Sequence, residues 1–274
     1  MTIGPLRRAD IPVLDRILCA AYGSIGSVAK RLERYAVAQR VATFVASCDG
    51  APVGCVFASD YGTVAYVSLM GVDPAGQRRG VGTTLFAALI AWADARGFAS
   101  VQLDATPDGA RLYERFAFFD DGETVVFDGV GRAADRALAP AVRPARHADL
   151  DAMWRADRDA FGADRAEVIG QLCADPTNAV FVADRGAFAV AQAEAIGPLV
   201  AATPDIAAAL FDASSAARPG DALRFVAPSD NPKALALASS RGFVERRRLA
   251  HMAYGARSSG DRKQLFARIN LGQG

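Results

Sequence analysis

Apolar residues along this chain follow two rhythms. Leu14, Ile17 and Leu18 recur at helical spacing before Tyr22-Gly23. Leu85, Phe86, Leu89, Ile90 and Ala93 line one side of a predicted helix over 83–96, which Gly97 ends. Between these stripes, 43–48, 53–59 and 63–72 are β-branched or apolar runs. Asp49-Gly50 joins the first two as a tight hairpin, and Asp60-Tyr61-Gly62 turns the chain into the third. Further on, 101–105 reads as a strand, 108–116 as a short helix and 124–127 as a strand. Hairpins leading into a strand–helix–strand crossover imply an α/β (α+β) fold, with a mixed, mostly antiparallel central sheet and flanking helices.

The pattern occurs twice. Arg7-Arg8-Ala9-Asp10 opens the first stripe, and Arg146-His147-Ala148-Asp149 opens a second through Leu150, Met153 and Trp154 to Phe161-Gly162, every landmark 139 residues later. Each Asp is placed to cap a helix N-terminus and each Gly to follow a helix end. Agreement at one offset implies two copies of a domain, 1–135 and 136–274. The segment 129–142, rich in Gly, Ala, Pro and charge, reads as the linker, with the break near residue 135. In the second copy 179–183 and 187–193 form a hairpin around Asp184-Arg185-Gly186, followed by a helix at 203–214, a strand at 223–227 and a helix at 231–240. The tail 264–271, carrying Leu265, Phe266, Ile269 and Leu271, is expected as a strand beyond the second domain, packed on the first.

Composition narrows the function. A length of 274 residues, with 51% apolar and 22% charged residues, suits two soluble globular domains. With 31 basic and 30 acidic side chains the formal charge is +1, so neither nucleic acid nor an anionic membrane is an expected partner. Nearly all the positive charge is arginine, which with the alanine excess suggests a GC-rich bacterial genome. Cys19, Cys48, Cys55 and Cys173 form no C-x-x-C pair and read as free thiols in a reducing cytoplasm. The N-terminus has no apolar leader and no run of 18 uncharged apolar residues occurs, so export and membrane spanning are not expected. Both histidines, His147 and His251, lie in the second half, which excludes a histidine zinc site or a Ser-His-Asp triad within the first. No metal is expected.

The informative loop is Val72-Asp73-Pro74-Ala75-Gly76-Gln77-Arg78-Arg79-Gly80-Val81-Gly82-Thr83, joining a strand to a helix. Glycines two apart at a helix start expose successive backbone N–H groups, beside the helix's own unpaired N–H groups and positive dipole end. A pyrophosphate is the ligand this suits best. No Gly-Lys-Ser/Thr follows, so the loop is not a P-loop, and the spacing is not that of the dinucleotide fingerprint G-x-G-x-x-G.

Val-x-Pro-x-x-Gln-x-x-Gly-x-Gly at Val72–Gly82, followed by Leu-Tyr-Glu-Arg-x-x-Phe at Leu112–Phe118, resembles the GNAT superfamily of acetyl-CoA-dependent N-acetyltransferases over about residues 43–128. Leu103-Asp104-Ala105-Thr106-Pro107-Asp108-Gly109 resembles a bacterial subgroup with two copies in tandem, the second carrying a degenerate cofactor loop. Here the equivalent place holds Ile196-Gly197-Pro198-Leu199-Val200-Ala201-Ala202-Thr203, without G-x-G or a flanking arginine. One departure is Ala117, where the family usually has Gly before the last Phe; a left-handed Ala there costs about 1 kcal/mol.

The resemblance implies that acetyl-CoA is the co-substrate. It implies that backbone amides from Gln77 through Arg78, Arg79, Gly80, Val81 and Gly82 to Thr83 hold the pyrophosphate, with both arginines adding charge at its rim. Met70, Gly71 and Val72 would pair with the pantetheine arm, and the Val72 N–H would polarise the thioester carbonyl, a kind of donor whose removal costs ~100- to 1000-fold in rate. Tyr113 is the implied proton donor to the leaving thiolate; its other reading is a core tyrosine. No carboxylate lies within 66–72, so Asp104 is the candidate base or ammonium anchor, with water or a bond to backbone as alternatives. Asp60, Asp120, Asp121 and Glu123 form an acidic rim in sequence, and Tyr22, Tyr35, Trp154, Glu194, Asp230, Asn231 and His251 are weaker pocket candidates.

The expected acceptor is a small-molecule amine, met by a monomer or homodimer. The tandem layout is compatible with an aminoglycoside-type 2'-N-acetyltransferase, with kasugamycin as one target. A protein N-terminal or lysine acetyltransferase and a non-catalytic acetyl-CoA-binding module are the alternatives.

Overall fold

A computed structural model describes residues 1–23, 26–133 and 142–274. The break expected near residue 135, and most of the linker with it, lies outside the described residues. The chain forms two compact units whose segments interleave in sequence. Unit 1 comprises Met1–Leu103, Arg111–Phe118 and Tyr254–Ala256; unit 2 comprises Asp104–Ala110, Phe119–Ala253 and Arg257–Gly274.

Unit 1 opens with β1 (Thr2–Gly4), α1 (Ile11–Tyr22) and α2 (Ala29–Tyr35). The antiparallel strands β2 (Val41–Cys48), β3 (Ala51–Asp60) and β4 (Val64–Val72) follow. The Asp49-Gly50 hairpin forms as expected, with positive φ at both residues (50° and 81°), the mirror-image turn that matches strand twist. A crossover through α3 (Val81–Arg96) leads to β5 (Ser100–Ala105), parallel to β4 over Val64–Tyr66. The short helix α4 (Pro107–Glu114) comes next, with its residues from Arg111 onward in this unit. Because side chains alternate across a strand, β3 sends Cys55 and Phe57 into a core with Leu14, Leu18 and Leu32, whereas Gly54 faces Leu85 of α3. A core on each face holds β4 between two helical layers.

Unit 2 contains β6 (Phe119–Val130), β7 (Arg143–Pro144), α5 (Leu150–Phe161), α6 (Ala166–Ala174), β8 (Ala179–Val182), β9 (Phe188–Ala191) and β10 (Ala195–Val200). They are followed by α7 (Pro204–Ala216), β11 (Ala222–Pro228), α8 (Pro232–Ser240), β12 (Val244–Gly255) and β13 (Leu265–Ala267). Its strands lie in the order β12-β6-β11-β10-β9-β8-β7, antiparallel except for the β10–β11 pair. Phe211, Phe225 and Phe243 pack edge-on at ring separations of 5.3 and 5.1 Å in its core. The tail strand β13 lies on β10 inside this unit, not on the first-half elements expected of it.

The repeat is present as α1 and α5, each of 12 residues and each stopped by a left-handed glycine, Gly23 or Gly162. The aspartates act differently from the expectation. Each ends a 3-10 turn ahead of its helix, Arg8–Asp10 and His147–Asp149, and its carboxylate reaches back instead of forward. Asp10 accepts from the Arg7 amide and guanidinium, at 3.2 and 2.9 Å. Asp149 accepts from the Arg146 amide at 2.7 Å and, bidentate, from Arg143. The extra turn moves the carboxylate from the capping position to the third residue of a capping box.

Candidate active site

The strand before the glycine loop is kinked. Gly54 and Cys55 of β3 oppose Val72 and Gly71, but Phe57 opposes Ser68, so β4 carries one extra residue, and Leu69 takes a left-handed conformation (φ 39°). Nothing in the sequence marks this bulge, since Leu is not a left-handed residue. It bends β4 after its paired stretch with β5, so that Met70, Gly71 and Val72 follow a change of direction.

Around Met70 the structure gathers tyrosines. The Tyr113 hydroxyl donates to Met70 Sδ at 3.5 Å, and its ring packs 4.7 Å from Phe86 of α3. Burial, and then Tyr22 nearby, push the Tyr113 phenol well above its ordinary range, so it is protonated at any physiological pH. Tyr22, at the end of α1, accepts a hydrogen bond from the Met70 amide and is pushed up to about 12, chiefly by burial. The sequence offers Tyr22 only as a weaker pocket candidate; the structure places it beside Met70, at the end of α1 just before the helix-ending Gly23. Tyr35 is committed elsewhere, sharing a buried hydrogen bond of 3.2 Å with Ser68.

The loop itself is open to solvent at Gln77, Arg78, Arg79 and Gly80. Asp73 braces its start by accepting from the Ala75 amide at 2.8 Å, and Gln77 Nε2 reaches the Val72 carbonyl at 3.4 Å. Arg78 (φ 59°) and Gly80 (φ 82°) are both left-handed, and Gly80 is the N-cap of α3. A Cβ at Gly80 would meet no atom within 4 Å, so the glycine is there for its backbone angle and the space above it stays clear. No side chain caps α3 and no acid stands in its first turn, so the amide groups of the Val81-Gly82-Thr83 turn face outward at the positive end of a 16-residue helix. Two exposed arginines beside uncapped amides are a donor set for an anion, which fits a pyrophosphate. Val81 itself is buried.

Asp104 is held by other residues. It lies in unit 2, where its carboxylate accepts from Thr124 Oγ1 at 2.5 Å and pairs with His251 Nδ1 at 3.0 Å. Burial alone would raise its pKa, but the charge of Arg268 and the bonds from His251 and Thr124 hold it at about 2. His251 is lowered by burial and then by Arg268, so the pair is carboxylate and neutral imidazole. A fully buried carboxylate held in this way is a poor proton acceptor. The acidic residues are likewise occupied. Asp60 pairs with Arg96 at 2.6 Å, Glu123 with Arg248 at 3.0 Å, and Asp121 with Arg257 and Arg262, while Asp120 closes a turn on the Gly122 amide. Asp230 pairs with Arg262, Glu194 lies on an exposed turn, and Trp154 stands on α5. Asn231 caps α8 through Oδ1.

A model described as the Acetyltransferase (GNAT) family matches residues 14–118, the span that holds this loop and Tyr113. A second, the Acetyltransferase (GNAT) domain, matches residues 153–267. Two GNAT domains stand in tandem in this chain. No curated protein sequence matches it. Among solved structures, the chain is similar over its whole length to 95% of a Pyrococcus horikoshii protein that is itself inferred to be an acetyltransferase, with 25% identity and a TM-score of 0.89. A GCN5-related N-acetyltransferase from Sphaerobacter thermophilus shares the fold over 94% of this chain and 98% of its own, at 18% identity and a TM-score of 0.70. Eis1 from Mycobacterium abscessus shares it over 94% of this chain and 74% of its own, at 19% identity and a TM-score of 0.57. The GNAT family uses acetyl-CoA, and the chain is an acyltransferase. Among the described residues no helix is long and apolar enough to cross a membrane, and no group of three metal-ligating side chains occurs.

Proposed function

We propose that the first GNAT domain transfers the acetyl group of acetyl-CoA to a primary amine of a small molecule. The observation that carries this reading is the uncapped N-terminus of α3, set behind a bulged strand whose Met70 touches the Tyr113 hydroxyl. When bound, acetyl-CoA supplies an acetyl group already activated as a thioester. The amides from Gln77 to Thr83 and the side chains of Arg78 and Arg79 hold its diphosphate, and Met70, Gly71 and Val72 offer backbone groups along its arm. The Val72 N–H serves as the oxyanion donor. Tyr113, kept neutral by burial, holds its proton at the end of the hydroxyl now on Met70 Sδ and gives it to the departing sulfur. With Asp104 committed to His251, Thr124 and Arg268, the amine loses its proton to water.

Aminosugar antibiotics, kasugamycin among them, are the first acceptors to try. The assay is acetyl-CoA consumption across a panel of small amines, aminoglycosides and peptides. Acetylation of small amines is the expected result; label appearing on peptides and on no small amine would overturn it.

A further inference from the structure

Both units contain a parallel strand pair that begins together and then divides at a bulge. In unit 1 the pair is β4 and β5. In unit 2 it is β10 and β11, which pair at Ala195 and Ile196 with Arg224 and Phe225, while the β10 register slips by one residue between Ile196 and Leu199. Past the slip, β10 turns to a different partner. Leu199 and Val200 pair with Ala267 and Leu265 of β13, and the Ala201 amide donates to the Gln264 carbonyl at 2.9 Å. One residue on, the Arg268 amide donates to the Val226 carbonyl of β11 at 2.8 Å. The tail therefore stands between β10 and β11, bonded to both.

It is fixed there by contacts of high specificity. A Cβ at Gly197 would lie 2.2 Å from the Arg268 carbonyl oxygen, so only glycine lets the two backbones approach this closely. Asn231 Nδ2 lies within 3.0 to 3.3 Å of three tail carbonyls, those of Arg262, Lys263 and Leu265. Gln192 Nε2 reaches the Ile269 carbonyl, and Phe266 and Ile269 are each 1% exposed. The helix that follows β10 is closed as well. Thr203 caps α7 by accepting from the Ile206 amide at 3.4 Å, Pro204 removes one donor, and Asp205 places an acid in the first turn.

We propose that residues 264–269 are a permanent internal occupant of the second unit, filling the slot that its strand pair would otherwise offer to an extended acyl-carrier arm. The chain then takes one acetyl-CoA, in the first unit alone. This goes beyond the proposed function and is separable from it. Hydrogen exchange on the full-length protein, read on peptides covering 264–269 and 195–201, tests the occupant with no ligand present. Slow exchange, unchanged by saturating acetyl-CoA, is expected; rapid exchange in the free protein, or acceleration when acetyl-CoA is added, overturns the proposal. Calorimetry on the same protein should give one equivalent bound, and Gly80→Asp should remove all of the heat; a second equivalent, or heat surviving in that variant, also overturns it. Asn231→Ala should speed exchange of the tail at least tenfold without adding an equivalent. Tail protection in a protein that binds no acetyl-CoA would support the occupant and reject the acetyl-transfer reading.

Discussion

The helices α3 and α7 follow strands β4 and β10 in the two units, yet their N-termini are built in opposite ways. Gly80 stands at the first, left-handed and without a side chain to satisfy the amides behind it. Thr203, Pro204 and Asp205 stand at the second and satisfy or remove those donors from within. The strands ahead of them differ in the same sense, since β10 has the chain's own tail beside it. The same fold thus carries open helix donors in one copy and internally bonded ones in the other. The two copies differ in where the helix donors and the strand edge find their partners.

Placing a carboxylate where the first helix has none should do the greatest damage. Gly80→Asp puts negative charge at the anion position and an ordinary residue at φ 82°, and acetyl-CoA affinity should fall more than about 100-fold by calorimetry. Retained affinity would show that these amides hold no phosphate. Tyr113→Phe keeps the ring on Phe86 and removes the hydroxyl on Met70. Turnover should drop ~100- to 10,000-fold with acetyl-CoA affinity nearly intact, whereas unchanged turnover would return Tyr113 to the core.

The second copy should respond in stability and not in ligand affinity. Thr203→Ala should cost about 1 kcal/mol in denaturant unfolding and leave acetyl-CoA binding untouched; a shifted Kd would mean that α7 is not inert. The buried Asp104–His251 pair of unit 2 adds a dependence on acid. His251 is depressed below its ordinary 6.5 and Asp104 below 3.8, to about 2, so the unfolded chain binds protons first at both. Stability from His251 is complete above about pH 6.5 and declines below it; that from Asp104 is lost between about pH 4 and 2. His251→Gln should flatten the upper part of the unfolding-versus-pH curve, and a curve of unchanged slope there would refute the assignment. The smallest effect is a gain. Ala117 is left-handed (φ 60°), and Ala117→Gly should raise stability by up to about 1 kcal/mol, visible as a modest rise in Tm.

Much of the fold was legible in the residues because it rests on local signals. The α1 and α5 stripes, the Asp49-Gly50 turn and the Gly80-x-Gly82 helix start each declare themselves within a few positions. Even the left-handed Ala117 was expected from its motif. The candidate site was legible at the Gly80-x-Gly82 helix start and at Tyr113, which a motif marks. The Leu69 bulge left no trace, since a register slip depends on what β3 offers across the sheet. Asp104 looked available from its strand-end position, and only long-range packing brings His251, 147 residues away, against it. The long strand β12 went unseen because Arg246, Arg247 and Arg248 break its apolar alternation. The tail strand was anticipated in sequence but assigned to the other domain, because a three-residue strand says nothing about which edge it will join.

The interleaving of the two units bears on how this gene could be shortened. A cut in the 129–142 segment would remove Tyr254–Ala256 from the first unit and leave β6 without β11 and β12, both its hydrogen-bonded neighbours. An isolated front half would then carry a 12-residue ribbon, including Val125, Val126 and Phe127, with two bare edges, an invitation to self-association. A duplicated ancestor that reached this arrangement would have lost the option of discarding its second half.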